Sequence, residues 1–250
     1  MNSAPRLPAL VVAISLFFAA PAAWAGDAAS PVVVELFTSQ GCSSCPPADA
    51  YLGELARRGD ILALGFHVDY WNYIGWTDPY SLTLATQRQR GYAGAMSLDS
   101  VYTPQMVING ATQAVGSDRE AVGVLIGAAT AHPAPQPSLT IMRNADGGLA
   151  IQIGGEPNEA DAGGKSATVW LATYDSEHTT VVGKGENGGR TLKDYQVVRS
   201  FIGIGSWTGA PLDIAVEAKD VALGTGGTAV LLQTNGVGPI IAAAALKSGV

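Results

Sequence analysis

The sequence is poor in cysteine: Cys42 and Cys45 are the only two thiols in its 250 residues. A chain with two cysteines cannot form a scaffold held by many disulfides or a zinc site with four cysteine ligands. Charge is also sparse, because charged residues make up 14% of the chain and the formal net charge is −7. The chain lacks a lysine- and arginine-rich tract of the kind that binds phosphates, so we expect no nucleic-acid partner.

The first 25 residues have the pattern of a secretory signal peptide. They combine a positive start at Arg6, an apolar run over 10–20 and a cleavage site of small residues at Ala23-Trp24-Ala25. The apolar run is shorter than the roughly 20 residues that a membrane-spanning helix needs, so we favour cleavage over an uncleaved anchor. We therefore expect a periplasmic or secreted protein without a stable membrane span, in a compartment where a disulfide persists.

A proline-rich segment divides the rest of the chain. Residues 131–138 contain three prolines, which disfavour a helix and favour an extended linker. The hydrophobic pattern also changes across this segment. We therefore predict a signal peptide over 1–25, a first domain over 26–130, a linker over 131–138 and a second domain over 139–250.

The two predicted domains differ in their elements. In the first, buried strands alternate with helices in the order βαβαββα, and Asn109-Gly110 is typical of a hairpin turn. In the second, the apolar period is two, starting with a hairpin of strands at 139–143 and 149–153. Short strands and glycine-rich turns continue to the end, which predicts an all-β antiparallel sandwich of about eight strands.

Cys42 and Cys45 form a Cys-x-x-Cys motif between the first predicted strand and the first predicted helix. The start of a helix has unpaired N–H groups and a partial positive charge, which stabilise a thiolate. We therefore expect Cys42 to face solvent as the attacking thiolate, and Cys45 to resolve the mixed disulfide from a deeper position. Two alternatives stay open. One is an inert structural disulfide, although so short a loop stabilises a fold weakly, and the other is a metal site.

Further candidates surround this motif. Thr103-Pro104 directly precedes a predicted strand, and the sequence alone favours an ordinary trans peptide bond there. His67 and Asp69 end the second predicted strand, at the edge of an open α/β sheet where ligands bind. The turn-rich loop 69–79 is aromatic, and its side chains are candidates for a substrate groove, with a packed lid on the core as the alternative. These side chains are Tyr70, Trp71 and Trp76.

The order of the elements, with a Cys-x-x-Cys after the first strand and a Thr-Pro before the third, resembles the thioredoxin fold. More narrowly, Glu-Leu-Phe-Thr-Ser-Gln-Gly-Cys-Ser-Ser-Cys-Pro-Pro-Ala-Asp at 35–49 is similar to a family of secreted bacterial thioredoxin-like proteins of unknown function. The similarity continues at Asp69-Tyr70-Trp71-Asn72, Tyr102-Thr103-Pro104-Gln105, Gly185-Glu186-Asn187 and Gly189-Arg190-Thr191.

The resemblance implies an α/β thioredoxin-like domain followed by the all-β antiparallel sandwich domain, a redox capacity, and a cis bond before Pro104 beside the cysteines. It also implies that Pro104 shapes a groove in which a substrate backbone pairs with the strand edge, with Thr103 beside it. Thioredoxins keep a buried acid on the strand that leads to the motif. Glu35 is the candidate for that role, as the group that accepts a proton from Cys45.

These observations predict an exported thiol–disulfide oxidoreductase that acts on protein or peptide thiols and has no resident cofactor. A membrane or periplasmic reductant is a further expected partner. One alternative is a copper-binding chaperone that uses Cys42, Cys45 and His67, since thiolates suit Cu(I) and imidazole suits Cu(II). The other is a non-catalytic binding module with a local disulfide.

Overall fold

The computed structural model describes residues 30–132, 136–155, 166–222, 224–234 and 237–248. The predicted signal peptide and residues 133–135 of the predicted linker lie outside these ranges. The elements of the first half follow the predicted order, with a short 3-10 helix at Asn72–Ile74 before the second helix. They are β1 (Val32–Thr38), α1 (Pro46–Leu55), β2 (Ile61–His67), α2 (Thr83–Ala95), β3 (Gln105–Ile108), β4 (Thr112–Val115) and α3 (Arg119–Ala131).

The described helices and strands of the second half are almost all strands. Apart from a 3-10 helix at Ala218–Asp220, its described elements are β5 (Leu139–Arg143), β6 (Leu149–Ile153), β7 (Ala167–Val181), β8 (Thr191–Trp207), β9 (Leu212–Val216), β10 (Gly227–Thr234) and β11 (Ile240–Lys247). β7 and β8 are a long antiparallel pair, and a segment over 182–190 connects them.

Within the described residues, eight strands form one mixed sheet in the order β11-β10-β7-β8-β2-β1-β3-β4. β1 is parallel to β2 and antiparallel to β3, and β8 joins the outer edge of β2 in parallel, at Gly65 and Val197. A smaller sheet of β5, β6 and β9 packs over the end of the large sheet that contains β7, β10 and β11. Their shared core includes Ile141, Leu149, Ile151, Val169, Leu171, Trp207, Val230 and Leu232.

The predicted fold class is therefore wrong. We expected an α/β thioredoxin-like domain followed by a separate all-β antiparallel sandwich domain, but one mixed sheet contains strands from both halves. The physical reason is the outer edge of β2, whose N–H and C=O groups need a partner strand, and β8 supplies it. Gly65 permits this approach, because a Cβ there would lie 2.8 Å from the Tyr195 carbonyl oxygen. The domain boundaries, 26–130 and 139–250, stay a prediction.

Helices cover both faces of the first-half strands. α1 and α3 pack on the face of β1 that carries Val34 and Leu36, whereas α2 packs on the face that carries Val33 and Phe37. Because β1 and β2 are parallel and both end at the pair Thr38–His67, the loops that follow them start side by side. The cysteine-containing turn between β1 and α1 therefore lies next to the aromatic loop that follows β2.

Replacing Gly65 with alanine should destabilise the protein by about 1–3 kcal/mol, the usual cost of overpacking a core. The added methyl group would meet the main-chain oxygen of Tyr195, which cannot move away without disturbing the pairing of β2 with β8. Urea unfolding measures the change. Gly123→Ala in α3 is the matched control: nothing lies within 4 Å of its added methyl group, so it should be neutral or stabilising. A Gly65→Ala variant as stable as the wild type would contradict the shared sheet.

Candidate functional site

Cys42 and Cys45 form a disulfide in the turn between β1 and α1, with their Cα atoms 5.5 Å apart. The Cys45 N–H donates to the Cys42 carbonyl, and α1 begins directly afterwards, at Pro46. Ser43 and Ser44 between the cysteines are exposed, but Cys42 is only 1% exposed and Cys45 is fully buried. The disulfide thus lies at the start of a helix, as expected, whereas the expectation that Cys42 faces solvent is wrong for this disulfide-bonded form.

The Thr103–Pro104 peptide bond is cis, as the resemblance implied, and Pro104 is buried. Thr103 Oγ1 accepts a hydrogen bond of 2.8 Å from Trp71 Nε1–H. Trp71 also packs against the residue before Cys42, because a Cβ at Gly41 would lie 3.0 Å from the Trp71 Cβ. Trp71 therefore connects the cysteine turn with the Thr103–Pro104 bond, and the structure brings these predicted site residues together.

The two other aromatic candidates, Trp76 and Tyr70, form hydrogen bonds with different parts of the structure. Trp76 Nε1–H donates to Oε1 of Gln40 at 3.1 Å, and Gln40 lies two residues before Cys42 in the chain. Tyr70 donates instead to Gln89 Oε1 of α2, at 3.1 Å, and packs on the core below that helix. Trp76 belongs to the surroundings of the cysteine turn and Tyr70 to the α2 face. Their contact with a substrate stays a prediction.

Glu35 lies away from this group. Its carboxylate accepts hydrogen bonds from Arg88 Nε, at 2.6 Å, and from the Tyr92 hydroxyl, both on α2. The Arg88–Glu35 ion pair is buried, and Arg88 also donates to Gln233 Oε1 of β10 at 3.0 Å. Glu35 alternates with Val34 and so points to the α2 face of β1, opposite the face that α1 covers. Its proton-accepting role stays a prediction, and these contacts favour a structural role.

A cluster of buried ionisable side chains lies beside the start of α1, and three of its members were not predicted. It consists of Asp49 on α1, His67 at the end of β2, Asp78 before α2 and Asp194 on β8, none more than 5% exposed. His67 Nδ1 lies 2.7 Å from Asp78 Oδ2. Asp69, the other candidate near the end of β2, instead accepts hydrogen bonds from two threonine hydroxyls of α2.

Gln40 and Thr38 connect this cluster to the cysteine turn. The Gln40 backbone N–H donates to Asp78 Oδ2 at 2.8 Å, and its side-chain Nε2 donates to Asp194 Oδ2 at 2.6 Å. The Thr38 hydroxyl donates to Asp49 Oδ1 at 2.7 Å. The segment that leads from β1 to Cys42 is therefore bonded to three carboxyl groups from three separate parts of the chain.

Burial and mutual charge set the protonation of the cluster. Burial, followed by the negative charge of Asp194, raises the pKa of Asp49 to about 7. Burial alone would lower the pKa of His67, but the carboxylates of Asp78, Asp194 and Asp49 outweigh it and raise that pKa to about 9. Burial also raises the pKa of Asp194, whereas the charge of His67 overcomes burial and keeps the pKa of Asp78 low. At neutral pH His67 is therefore charged.

Residues 182–190, between β7 and β8, cover the cysteine turn, and we refer to them as the covering loop. Asn187 is fully buried, and its side-chain amide donates to the carbonyl oxygens of Gln40, at 2.9 Å, and Cys42, at 3.0 Å. The Glu186 carboxylate accepts from the Ser43 backbone N–H at 3.1 Å. Because the second half supplies this loop, no pattern within the first half could predict that Cys42 is covered.

Besides Asp78 and Asp194, three site residues were not singled out by the sequence: Asp49, Glu186 and Asn187. The available signal was the family resemblance, since Asp49 closes the similar segment 35–49 and the other two lie in the segment 185–187. That signal marks the segments without showing that they meet. Only the pairing of β8 with β2 brings the second segment to the first.

Two further observations concern metals and membranes. Among the described residues, no group of three or more His, Cys, Asp and Glu side chains is placed to hold a metal ion. The copper site of Cys42, Cys45 and His67 stays a hypothesis. Over the same ranges, no helix is both long enough and apolar enough to cross a bilayer.

The stability of the protein should fall between about pH 6.5 and 9 because of His67. Its folded pKa of about 9 lies above the ordinary value of 6.5, so its stabilising charge is fully present below pH 6.5 and lost as the pH rises through 9. The shift corresponds to at most about 3 kcal/mol. Urea unfolding at the two pH values measures the loss.

His67→Gln should remove most of this pH dependence, whereas His178→Gln should retain it. His178 is the matched control because it also pairs with an aspartate, Asp175, but lies partly exposed on β7. Equal stability of the wild type at both pH values would show that the carboxylates do not hold a charged His67.

Comparison with known proteins identifies the family. A family model described as a protein of unknown function, DUF1223, matches residues 33–233. A protein from Agrobacterium tumefaciens with a crystal structure is 32% identical, with a TM-score of 0.75, and the match covers 90% of this chain and 97% of that one. HBP35 of Porphyromonas gingivalis is 15% identical over 89% of this chain and 76% of its own, and its TM-score of 0.57 shows a likeness of fold alone. No curated protein matches the chain. Because the family model spans most of the sequence, the chain belongs to the DUF1223 family of proteins of unknown function.

Proposed function

We propose that the protein is an exported thiol–disulfide oxidoreductase that exchanges disulfides with protein or peptide substrates through Cys42 and Cys45. The proposal is supported by the surroundings of the disulfide. It lies at the start of α1, is linked through Trp71 to the cis Thr103–Pro104 bond, and precedes a buried carboxyl group by one helical turn. An inert disulfide needs no such neighbours, and one that closes so short a loop stabilises a fold weakly.

The exchange starts from the reduced protein. The Cys42 thiolate attacks one sulfur of a substrate disulfide, so a bond forms to Cys42, the substrate S–S bond breaks and the other substrate sulfur leaves as a thiolate. The Cys45 thiol then loses its proton and attacks Cys42 Sγ, which releases the second substrate thiolate. The substrate is reduced and the protein is left with its disulfide. The reverse sequence oxidises a substrate dithiol.

Asp49 is the group that we assign to accept the proton of Cys45. The two residues are four positions apart, so their side chains lie on the same side of the helix start, and the Asp49 N–H donates to the Cys45 carbonyl at 3.1 Å. Both are buried, which shields the proton transfer from water. A pKa of about 7 suits a group that must take and return a proton near neutral pH.

Cys45→Ser should accumulate a mixed disulfide with a substrate, because Cys42 still attacks but the bond is not resolved. Cys42→Ser should accumulate none. The reduced variants are incubated with a disulfide-bonded peptide, and the adducts are counted by intact mass. The absence of adducts from both variants would contradict the proposal and favour the non-catalytic binding module.

Asp49→Asn should slow resolution of the mixed disulfide by about 100-fold at pH 7, within the range typical of a lost general base. The first attack by Cys42 should remain, and the rate of resolution should recover at higher pH, where Cys45 ionises without help. Rapid quenching with acid followed by mass spectrometry separates the two steps. Glu54→Gln is the matched control, since Glu54 is an exposed acid on the same helix. Equal rates for Asp49→Asn and the wild type would remove Asp49 from the mechanism.

A further inference from the structure

The covering loop places a negative charge against the backbone beside Cys42. The Glu186 carboxylate accepts from the Ser43 backbone N–H at 3.1 Å, although Glu186 itself is exposed and burial does not force this position. Hydrogen bonds from the side chain and then the backbone of Ser43 lower the pKa of Glu186. The carboxylate is therefore ionised at neutral pH.

This position is held by the rest of the loop. The adjacent Asn187 is fully buried and bonds to the carbonyl groups of Gln40 and Cys42. Arg190 donates to Asn187 Oδ1 at 2.6 Å, which helps to hold the asparagine in this position. Of the three charged residues of the loop, Lys184, Glu186 and Arg190, Glu186 is the one that bonds to the backbone between the two cysteines.

Several donors that could stabilise a thiolate at Cys42 are missing or engaged. Pro46 and Pro47 occupy the first two positions of α1 and have no N–H to offer. The Cys45 N–H is bonded to the Cys42 carbonyl, and Glu186 takes the Ser43 N–H. A neutral donor remains, since Ser44 Oγ lies 3.3 Å from Cys42 Sγ. The disulfide carries no charge, so these features disfavour only the reduced, ionised form.

The buried cluster supplies little net charge to offset Glu186. Its imidazolium, His67, is paired directly with the Asp78 carboxylate. The other two members, Asp49 and Asp194, are acids and contribute no positive charge in either protonation state. The cluster therefore does not offset the charge of Glu186 at the Ser43 N–H.

We propose that Glu186 is a positioning residue that shifts the Cys42–Cys45 pair towards its disulfide, so that the reduced protein acts as a reductant of disulfide-bonded proteins or peptides. The inference rests on the proposed function and specifies the direction of electron transfer between the protein and its substrate. A cysteine pair whose reduced form is stabilised acts as an oxidant of other thiols. Here the reduced form is destabilised, so the pair donates electrons to its substrate, and a dithiol partner must supply them again.

Equilibration with glutathione tests this assignment without any substrate. In this reaction the protein disulfide and two glutathione thiols give the protein dithiol and glutathione disulfide. Glu186→Gln should raise the equilibrium constant about threefold and Glu186→Lys about tenfold, and tenfold corresponds to about 30 mV for a two-electron couple. The pH at which Cys42 of the reduced protein becomes alkylated should fall in the same order. The graded effect identifies charge as the cause, since loss of loop structure would not follow the sign of the side chain.

Glu217→Gln is the matched control, because Glu217 is an exposed, lysine-paired acid beside the smaller sheet. It should leave both the equilibrium and the alkylation unchanged. Unchanged values for both Glu186 variants, or wild-type dithiol that fails to reduce glutathione disulfide, would overturn the inference. Mixed-disulfide formation by Cys45→Ser would then still support exchange, so failure of this assignment and failure of the proposed function are distinguishable.

Discussion

The pairing of β8 with the outer edge of β2 determines the surroundings of the disulfide. Because β8 runs beside β2, Asp194 comes within hydrogen-bond distance of Gln40, and the covering loop that precedes β8 reaches the Cys42 carbonyl. Without this strand, the edge of β2 would expose unpaired backbone groups, and the cysteine turn would face solvent. A single parallel contact, made possible by the absence of a side chain at Gly65, thus converts an open turn into a covered site.

The hydrogen-bond network around the Glu35–Arg88 ion pair joins the two halves a second time, through Gln233, on the face of the sheet that α2 covers. Arg88 bonds to Glu35 of β1, to Tyr92 of its own helix and to Gln233 of β10. Breaking a buried pair by removing one partner typically costs about 3–5 kcal/mol, because the other charge is left unpaired. The network is therefore satisfied only when α2, β1 and β10 keep their mutual positions. The prediction that Glu35 accepts a proton from Cys45 rests on the burial that the resemblance implies, and the sequence did not indicate the Arg88 cation that pairs with Glu35.

The local sequence pattern predicted most helices and strands. It did not predict which strands pair when they lie far apart in the chain. The strands β5 and β6 have the predicted bounds, and Asn109 and Gly110 take the positive φ values, 47° and 64°, that the predicted hairpin turn requires. Alternation of apolar residues tells which face of a strand is buried, but not which strand lies beside it. Nothing local distinguishes Gly65 as the contact point of β8. The same limit applies to the site, where the cysteines, Trp71, Thr103 and Asn187 all lie in short motifs, but the contact of Asn187 with the cysteine turn is not recognisable from them.

The disulfide has different electrostatic surroundings at its two ends. The prediction of a stabilised thiolate assumed that the N–H groups at the start of α1 are free. In the structure, Pro46 and Pro47 have none, and Glu186 occupies the one at Ser43. At the other end, burial disfavours a charged Cys45, and Asp49 is the neighbour able to take its proton. In the proposed exchange, both ends thus disfavour a standing thiolate, and we expect the pair to be a disulfide or neutral thiols that ionise only during the reaction. The proposed role as an electron donor follows from this expectation, because such a pair gains stability on forming its disulfide.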